Sequence, residues 1–219
     1  MTTRPAAVLW DMDGTLVDTE PYWIRTQFEM AERHGGTWSH ELALELVGSD
    51  LLASGRFIRE HMPLDLPAEE IVEMMLDGVV RLVAQEVPWR PGGRELLASL
   101  RADGVPCALV TMSYERFVVP ILEHLPAGSF QVVVTGDQVS RGKPDPEPYL
   151  TAARLLGVDA GDCLAIEDSP TGARSAEAAG CTVLVVPHHV PVGPGERRVF
   201  ADTLADLAVT DLAAYLLPV

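Results

Sequence analysis

Two aspartates separated by one residue are the clearest groups in the sequence that could carry out chemistry. Asp11 and Asp13 come directly after the short apolar run 6–10, and Gly14 follows them. Two carboxylates at this spacing need a compensating charge or a shared proton. Glycine allows a backbone bend that a Cβ would resist. The rest of the chain must therefore supply a positive group or a cation to this acidic turn.

Further polar side chains are predicted to lie at the carboxyl ends of strands, where open parallel sheets bind their ligands. Together with the acidic turn they would bring carboxylates, hydroxyls and an ammonium group into one crevice. This coincidence is more informative than any single motif. The groups are Thr111 and Ser113 after the predicted strand 106–110, Lys143 in the loop after strand 131–134, and Glu167 and Asp168 after strand 163–166.

Clustered carboxylates repel one another unless a divalent cation lies among them. Oxygen ligands that leave positions for water and a phosphate favour Mg²⁺. A cation, a lysine and hydroxyl or backbone donors form a receptor for a phosphoryl group. An aspartate beside that group can act as a nucleophile, and a second carboxyl can exchange protons with the leaving oxygen and with water. The residue types therefore indicate phosphoryl chemistry.

The elements that would position these groups alternate between strands and helices, which predicts a parallel sheet covered on both faces. A block of helical periodicity interrupts the alternation after the first strand. We therefore expect a discontinuous, doubly wound α/β core of residues 1–15 and 89–219, with a helical domain of residues 16–88 inserted. The predicted strands are 6–10, 106–110, 131–134, 163–166 and 182–186, and the predicted helices are 22–33, 40–47, 51–61, 68–87, 94–101, 114–124, 149–156, 170–179 and 204–216.

Composition narrows the function classes. The 219 residues carry a net charge of −16, which argues against a nucleic-acid-binding surface. The three cysteines form no CxxC pair and lie in or beside apolar runs, as reduced cysteines of a cytoplasmic protein do. We find no apolar core of a signal peptide, and no apolar run approaches the roughly 18 residues of a membrane span. The oligomeric state stays open.

Four motifs in order resemble those of the haloacid-dehalogenase-like hydrolase superfamily, and most closely its branch of small phosphatases and β-phosphoglucomutase-like proteins. The resemblance covers nearly the whole chain, including a helical cap domain of the C1 type between the first two motifs. All four in this order are a specific signal. The motifs are Asp11-Met12-Asp13-Gly14-Thr15, Thr111-Met112-Ser113, Gly142-Lys143-Pro144-Asp145-Pro146 and Glu167-Asp168-Ser169.

The resemblance implies a role for each motif residue. Asp11 would be the nucleophile and a metal ligand, and Asp13 the general acid and base, with its main-chain carbonyl as a further metal ligand. Lys143 would pair with both the phosphoryl group and Asp11. Asp168 would bind Mg²⁺, with Glu167 either a further ligand or a group behind it. The phosphoryl oxygens would be held by Thr111, the amide of Met112, Ser113 and amides of the first loop, including Met12.

The resemblance also separates a phosphatase from a phosphohexomutase. Asp13 argues for phosphoryl transfer, because dehalogenases of the superfamily lack this second acid. The mutases carry a cap histidine twelve residues after the nucleophile, where this chain has Trp23. They carry a lysine where this chain has Tyr114, and no basic cap residues stand around Val47–Leu51. We therefore expect a Mg²⁺-dependent phosphatase of a small metabolite, such as a sugar or polyol phosphate, acting through an aspartyl-phosphate.

Several alternatives stay open at this stage. A phosphohexomutase would return the phosphoryl group to a rotated substrate. A receiver-like signalling module also uses a strand-end aspartate, Mg²⁺ and a lysine, although such modules are about half this length. Glu20, just after the first domain crossing, could contact substrate hydroxyls. His188 and His189 follow the last predicted strand, where a solvated loop is favoured over a two-histidine metal site.

Overall fold

A parallel β-sheet forms the centre of the α/β part of the chain in this computed structural model, which describes residues 4–46 and 49–216. Within these residues every strand pair of the sheet is parallel, and the strand order is β3-β2-β1-β4-β5-β6. The expected doubly wound α/β fold is thereby confirmed. The strands are β1 (Val8–Trp10), β2 (Cys107–Val110), β3 (Val132–Val134), β4 (Leu164–Glu167), β5 (Thr182–Val185) and β6 (Arg198–Phe200).

The central strand β1 brings the ends of its neighbours together. Leu9 is paired with Ala108 of β2 on one side and with Ala165 of β4 on the other. Every residue of β1, β2, β4 and β5 is buried, as expected for strands covered on both faces. The residues after Trp10, Val110 and Glu167 therefore emerge side by side at the carboxyl edge of the sheet.

The helices follow most of the sequence predictions within a few residues. Ser169 caps the helix that begins at Pro170, and its Oγ accepts a hydrogen bond from the amide of Gly172 at 3.0 Å. Ser39 caps its helix in the same way. The helices are α1 (Glu20–Arg33), α2 (His40–Leu44), α3 (Leu51–His61), α4 (Ala68–Val83), α5 (Gly93–Ala102), α6 (Glu115–Leu122), α7 (Glu147–Leu156), α8 (Pro170–Ala178) and α9 (Leu212–Tyr215), with 3₁₀ turns at Gly136–Gln138, Ala160–Asp162 and Val209–Asp211.

One predicted helix was partly wrong, one strand was missed, and one predicted helix end is not tested. The expected helix 204–216 was wrong over its first half, because only the turn Val209–Asp211 and α9 are helical. Side chains compete with helical bonding there: Thr203 Oγ1 accepts from the amide of Ala205, and Asp211 Oδ2 accepts from that of Ala208. Strand β6 was not predicted. The predicted end of the second helix at Val47 and its stop at Gly48 lie outside the described residues.

The chain divides into two compact units: Met1–Asp18, Trp89–Glu115 and Leu125–Val219 form the α/β unit, and Thr19–Pro88 with Arg116–His124 form the helical unit. The predicted boundaries at 15/16 and 88/89 stay a prediction. The core of the α/β unit includes Leu9, Val110 and Tyr149, and that of the helical unit includes Trp38, Ile58 and Ile71. No helix in the described ranges is long and apolar enough to cross a membrane.

Candidate active site

Lys143 lies between two carboxylates from neighbouring strands. Its Nζ is 2.6 Å from Oδ1 of Asp11, directly after β1, and 2.7 Å from Oε1 of Glu167, the last residue of β4. The lysine side chain is only 5% exposed. Burial alone would lower the pKa of Lys143, but the two carboxylates outweigh it and raise the pKa above its ordinary value. Lys143 is also the only lysine in the sequence, so it is the counter-charge that the acidic turn requires.

One lysine does not neutralise the carboxylates around it. Burial raises the pKa of Asp11 to about 7, and the charges of Glu167 and Asp13 add to this effect while Lys143 opposes it. Burial also raises the pKa of Asp168 to about 9, with further contributions from Asp11 and Glu167. The site therefore holds more negative charge than the protein compensates.

The donor set fits a divalent cation. Carboxylate oxygens of Asp11, Glu167 and Asp168 lie within 4.8 Å of one another. Oδ2 of Asp11 is buried and has no hydrogen-bond partner in the described ranges of the chain, although buried oxygens normally have one. Thr15 Oγ1 approaches Oδ1 of Asp168 at 3.4 Å, which helps to fix that carboxylate. Hard oxygen ligands of this kind are those that Mg²⁺ prefers.

The turn that follows Asp13 has no room for a side chain at Gly14. Gly14 has a φ of +88°, a conformation that residues with a Cβ rarely adopt. A Cβ at this position would also overlap Oδ2 of Asp168. The glycine therefore lets the backbone of the acidic turn approach the carboxylate that follows β4.

The hydroxyls after β2 contact Asp13. Ser113 Oγ donates to Oδ2 of Asp13 at 2.7 Å, and Thr111 Oγ1 lies 3.4 Å from the same oxygen. Thr111 Oγ1 also accepts from the amide of Ser113 at 3.0 Å. The structure therefore brings these hydroxyls to the acidic turn, as the sequence predicted, and adds their direct contacts with Asp13, which it did not predict.

A buried tyrosine belongs to the site and was missed in the sequence. Tyr149 in the first turn of α7 is fully buried, and its hydroxyl donates to Oε1 of Glu167 at 2.6 Å. Burial and the neighbouring carboxylates of Glu167 and Asp11 hold its pKa well above the ordinary value, so the hydroxyl stays a donor. The sequence did contain a signal for it. Tyr149 lies on the apolar face of a predicted helix, and a buried tyrosine hydroxyl needs a hydrogen-bond partner.

Both oxygens of Glu167 are held by protein groups. Oε1 accepts from Lys143 and Tyr149, and Oε2 lies 3.2 Å from Ser169 Oγ, at the N-terminus of α8. A Cβ on Gly172 of that helix would overlap the carboxylate, so the helix end packs directly against it. These contacts favour Glu167 as a group that orients Lys143. Its direct ligation of a metal stays a prediction.

Two of the remaining predicted residues, Met112 and Met12, lie in the loops of the site, whereas Glu20 lies in the helical unit. Met112 lies after β2, and its Sδ accepts from the amide of Lys143 at 3.1 Å, which ties the lysine loop to that strand. The carbonyl of Met12 accepts from the amide of Leu16 at 2.9 Å and closes the acidic turn. Glu20 begins α1 and belongs to the helical unit, so its contact with substrate stays a prediction.

Comparison with known proteins gives consistent matches. Residues 5–180 match the family model described as "Hydrolase: haloacid dehalogenase-like hydrolase". The chain is 36% identical over 186 residues to hexitol phosphatase A of Escherichia coli, which covers 84% of this chain and 83% of the relative. It is 31% identical over 175 residues to the phosphorylated carbohydrates phosphatase of Thermotoga maritima, covering 80% of this chain and 81% of the relative. The crystal structure of CbbY from Rhodobacter sphaeroides in complex with phosphate has a TM-score of 0.83 and 30% identity, and covers 95% of this chain and 100% of that one.

Proposed function

The chain belongs to the haloacid dehalogenase-like hydrolases, and we propose that it is a Mg²⁺-dependent phosphatase of a small sugar or polyol phosphate. The observation that supports this most is the setting of Asp11. One of its oxygens contacts Nζ of Lys143 at 2.6 Å, and the other is buried with no hydrogen-bond partner among the described residues. A nucleophile that also binds a cation needs these two environments.

The proposed first step is attack on phosphorus by Asp11. A bond forms between a carboxylate oxygen of Asp11 and phosphorus while the bond from phosphorus to the substrate oxygen breaks. Asp13 gives its proton to the departing alkoxide, so the product leaves as an alcohol. Lys143 opposes the rise in the pKa of Asp11 and holds its carboxylate in position for the attack, because its ammonium group contacts Oδ1 directly.

The second step reverses the proton transfer. Asp13 accepts a proton from water, the water oxygen bonds to phosphorus, and the bond to Asp11 breaks to release inorganic phosphate. Thr111, Ser113 and the amide of Met112 are proposed to hold the phosphoryl oxygens. The contacts of both hydroxyls with Asp13, the proposed acid and base, support this role.

Asp11 and Asp168 are the residues proposed to hold Mg²⁺, with the main-chain carbonyl of Asp13 and with Glu167 as further candidates. When bound, Mg²⁺ supplies positive charge to the transferring phosphoryl group and to the clustered carboxylates. The fit rests on the oxygen-only donor set and on the buried oxygen of Asp11, which has no hydrogen-bond partner within residues 4–46 and 49–216.

The substrate class rests on the relatives. Hexitol phosphatase A and the phosphorylated carbohydrates phosphatase both carry names that describe phosphorylated polyols or sugars. The strong negative charge of the chain, −16, argues against nucleic acid as a partner. A cytoplasmic location is supported by the three free, buried cysteines.

A phosphate-release screen tests the proposal. The purified chain is incubated with hexitol, hexose and pentose phosphates, with Mg²⁺ or with chelator, and free phosphate is measured. We expect release from at least one member in Mg²⁺ and none in chelator. Asp11→Asn should abolish release, whereas Asp206→Asn, at an exposed position of the same unit, should leave it unchanged.

The same screen separates the alternatives. An isomeric sugar phosphate formed without free phosphate would indicate the phosphohexomutase. A phosphorylated Asp11 that persists for minutes without turnover would indicate the signalling module. Either outcome, or turnover that survives in Asp11→Asn, would contradict the proposed phosphatase.

A further inference from the structure

Two histidines and an aspartate form a cluster in the α/β unit that the proposed reaction does not use. His188 and His189 follow β5, and Asp18 is the last residue of the first α/β segment. Oδ1 of Asp18 lies 2.9 Å from Nε2 of His189 and 3.1 Å from Nε2 of His188. The imidazole centroids are 3.8 Å apart. One potential ligand atom from each residue therefore lies within 4.8 Å of the other two.

One nitrogen of this cluster makes no well-aligned hydrogen bond among the described residues. Nε2 of His188 is buried and has no hydrogen-bond partner in the described part of the chain, although it is close to Asp18. A buried polar atom without a partner is unusual and requires an explanation. Here the atom lies beside a second imidazole nitrogen and a carboxylate oxygen, which are the other ligand types that a transition metal accepts.

We propose that Asp18, His188 and His189 bind a divalent first-row transition ion such as Zn²⁺, at a site separate from the acidic one. Two imidazoles with one carboxylate suit Zn²⁺, Co²⁺ or Ni²⁺, whereas Mg²⁺ prefers oxygen ligands. Three protein ligands leave a coordination position for water. The sequence favoured a solvated loop at these histidines, and it did not indicate Asp18, which lies 170 residues before His188.

Arg90 competes with the proposed metal. Its Nη1 lies 2.7 Å from Nδ1 of His188. A guanidinium only donates, so Nδ1 must accept and the imidazole proton must be on Nε2. A metal bound at Nε2 uses the lone pair of that nitrogen, so the imidazole proton must move to Nδ1. There it would point at the guanidinium, which cannot accept a hydrogen bond. Metal binding therefore requires Arg90 to release His188.

Co²⁺ titration of the full chain, followed by visible absorbance, tests the site. Excess Mg²⁺ is present so that the acidic site is occupied and added Co²⁺ binds to the histidine nitrogens. We expect about one Co²⁺ per chain, displaced by Zn²⁺. His188→Ala, His189→Ala and Asp18→Asn should each weaken binding at least about tenfold. His124→Ala is the matched control, since this exposed histidine lies against the backbone carbonyl of Pro120, with its Nδ1 2.9 Å from that oxygen. Circular dichroism melts establish that each variant is folded.

Three further outcomes decide the proposal. Asp11→Asn should keep the Co²⁺ site, because the two sites share no residue, and loss of binding in this variant would overturn their separation. Arg90→Gln should tighten binding, because its amide oxygen can accept the Nδ1 proton. Absence of Co²⁺ and Zn²⁺ binding in excess Mg²⁺, or binding that the histidine variants leave unchanged, would overturn the site itself.

Discussion

The hydroxyl of Tyr149 donates to the same oxygen of Glu167 that accepts from Lys143, at 2.6 Å and 2.7 Å respectively. A residue on α7 and a residue in the preceding loop therefore orient one carboxylate together. This carboxylate has no exposed surface, so its two partners replace the water that would otherwise solvate it.

Tyr149→Phe removes one of these partners without changing the packed volume much. We expect the free energy of unfolding to fall by about 1.5–3 kcal/mol, the usual effect of losing a hydrogen bond to a charged group. Tyr22→Phe is the control, because that hydroxyl makes an exposed 3.2 Å bond to a carbonyl, and a loss below about 0.5 kcal/mol is expected. Equal losses in denaturant titrations of the two variants would contradict the role given to Tyr149.

Lys143→Met leaves Asp11 and Glu167 without their shared cation. Breaking a buried pair by removing one partner costs about 3–5 kcal/mol, and losing a charge that acts on the reacting group lowers kcat by about 10²–10³-fold. Arg141→Met in the same loop is the control. Its side chain is 71% exposed and its ion pairs are 3.2 Å and 3.4 Å long, so we expect little effect on either quantity. A kcat for Lys143→Met within tenfold of the parent would be incompatible with its proposed role.

Gly14→Ala should disturb Asp168 as well as the backbone. The positive φ costs about 1 kcal/mol for a residue with a Cβ, and the new methyl group would overlap Oδ2 of Asp168. Gly35→Ala shares the positive φ but meets nothing within 4 Å, so it isolates the backbone cost. We expect both variants to lose stability, and only Gly14→Ala to need at least about tenfold more Mg²⁺ for half-maximal activity. Equal Mg²⁺ requirements would count against Asp168 as a ligand.

Mg²⁺ should stabilise the chain more as the pH rises. In the metal-free protein the pKa values of Asp11 and Asp168 are raised to about 7 and about 9. Their contribution to stability is therefore present below the unfolded pKa near 4 and is lost as the pH rises through the folded values. A cation replaces the lost protons at high pH and competes with them at low pH. Melting temperatures with Mg²⁺ and with chelator should differ more at pH 8 than at pH 5.5, and the opposite trend would exclude these carboxylates as the binding site.

The three cysteines should be unreactive in the folded protein. Burial raises the pKa of Cys107, Cys163 and Cys181 to about 12 each, so almost no thiolate exists at pH 8. A thiol reagent should modify none of them in buffer and all of them in strong denaturant. Rapid modification of one cysteine in the folded state would contradict this burial and show that the segment around it opens locally.

Local patterns accounted for much of the fold. Apolar runs predicted β1, β2, β4 and β5. Ser169-Pro170 predicted the start of α8, because a capping serine and a first-turn proline act on the adjacent backbone. Strand β6 was missed, since Arg198–Phe200 is short and only partly buried, and its place in the sheet depends on pairing with β5. The first half of the predicted helix 204–216 has the apolar content of a helix, but the side chains of Thr203 and Asp211 form local turns there instead.

The candidate site was predictable to a similar degree. Parallel sheets bind ligands beyond the carboxyl ends of their strands, and this rule predicted that Asp11, Lys143 and Glu167 lie together. The structure brings them within hydrogen-bond distance. It said nothing of Tyr149, whose partner lies 18 residues later on another element. It also could not pair Asp18 with His188, because a contact between distant loops leaves no periodicity in the sequence.

Lys143 is the single lysine of the chain, and its side chain is 5% exposed and lies between two carboxylates. An isotope label on its amine would therefore report on this site by NMR. Reductive methylation with ¹³C-formaldehyde of protein unfolded in denaturant and then refolded would label the amine of Lys143 and the chain's α-amine. The ε-methyl resonance would then follow events at Asp11 without any engineered probe. Its chemical shift would register the arrival of phosphate analogues and cations separately, since each changes the charge next to the same nitrogen.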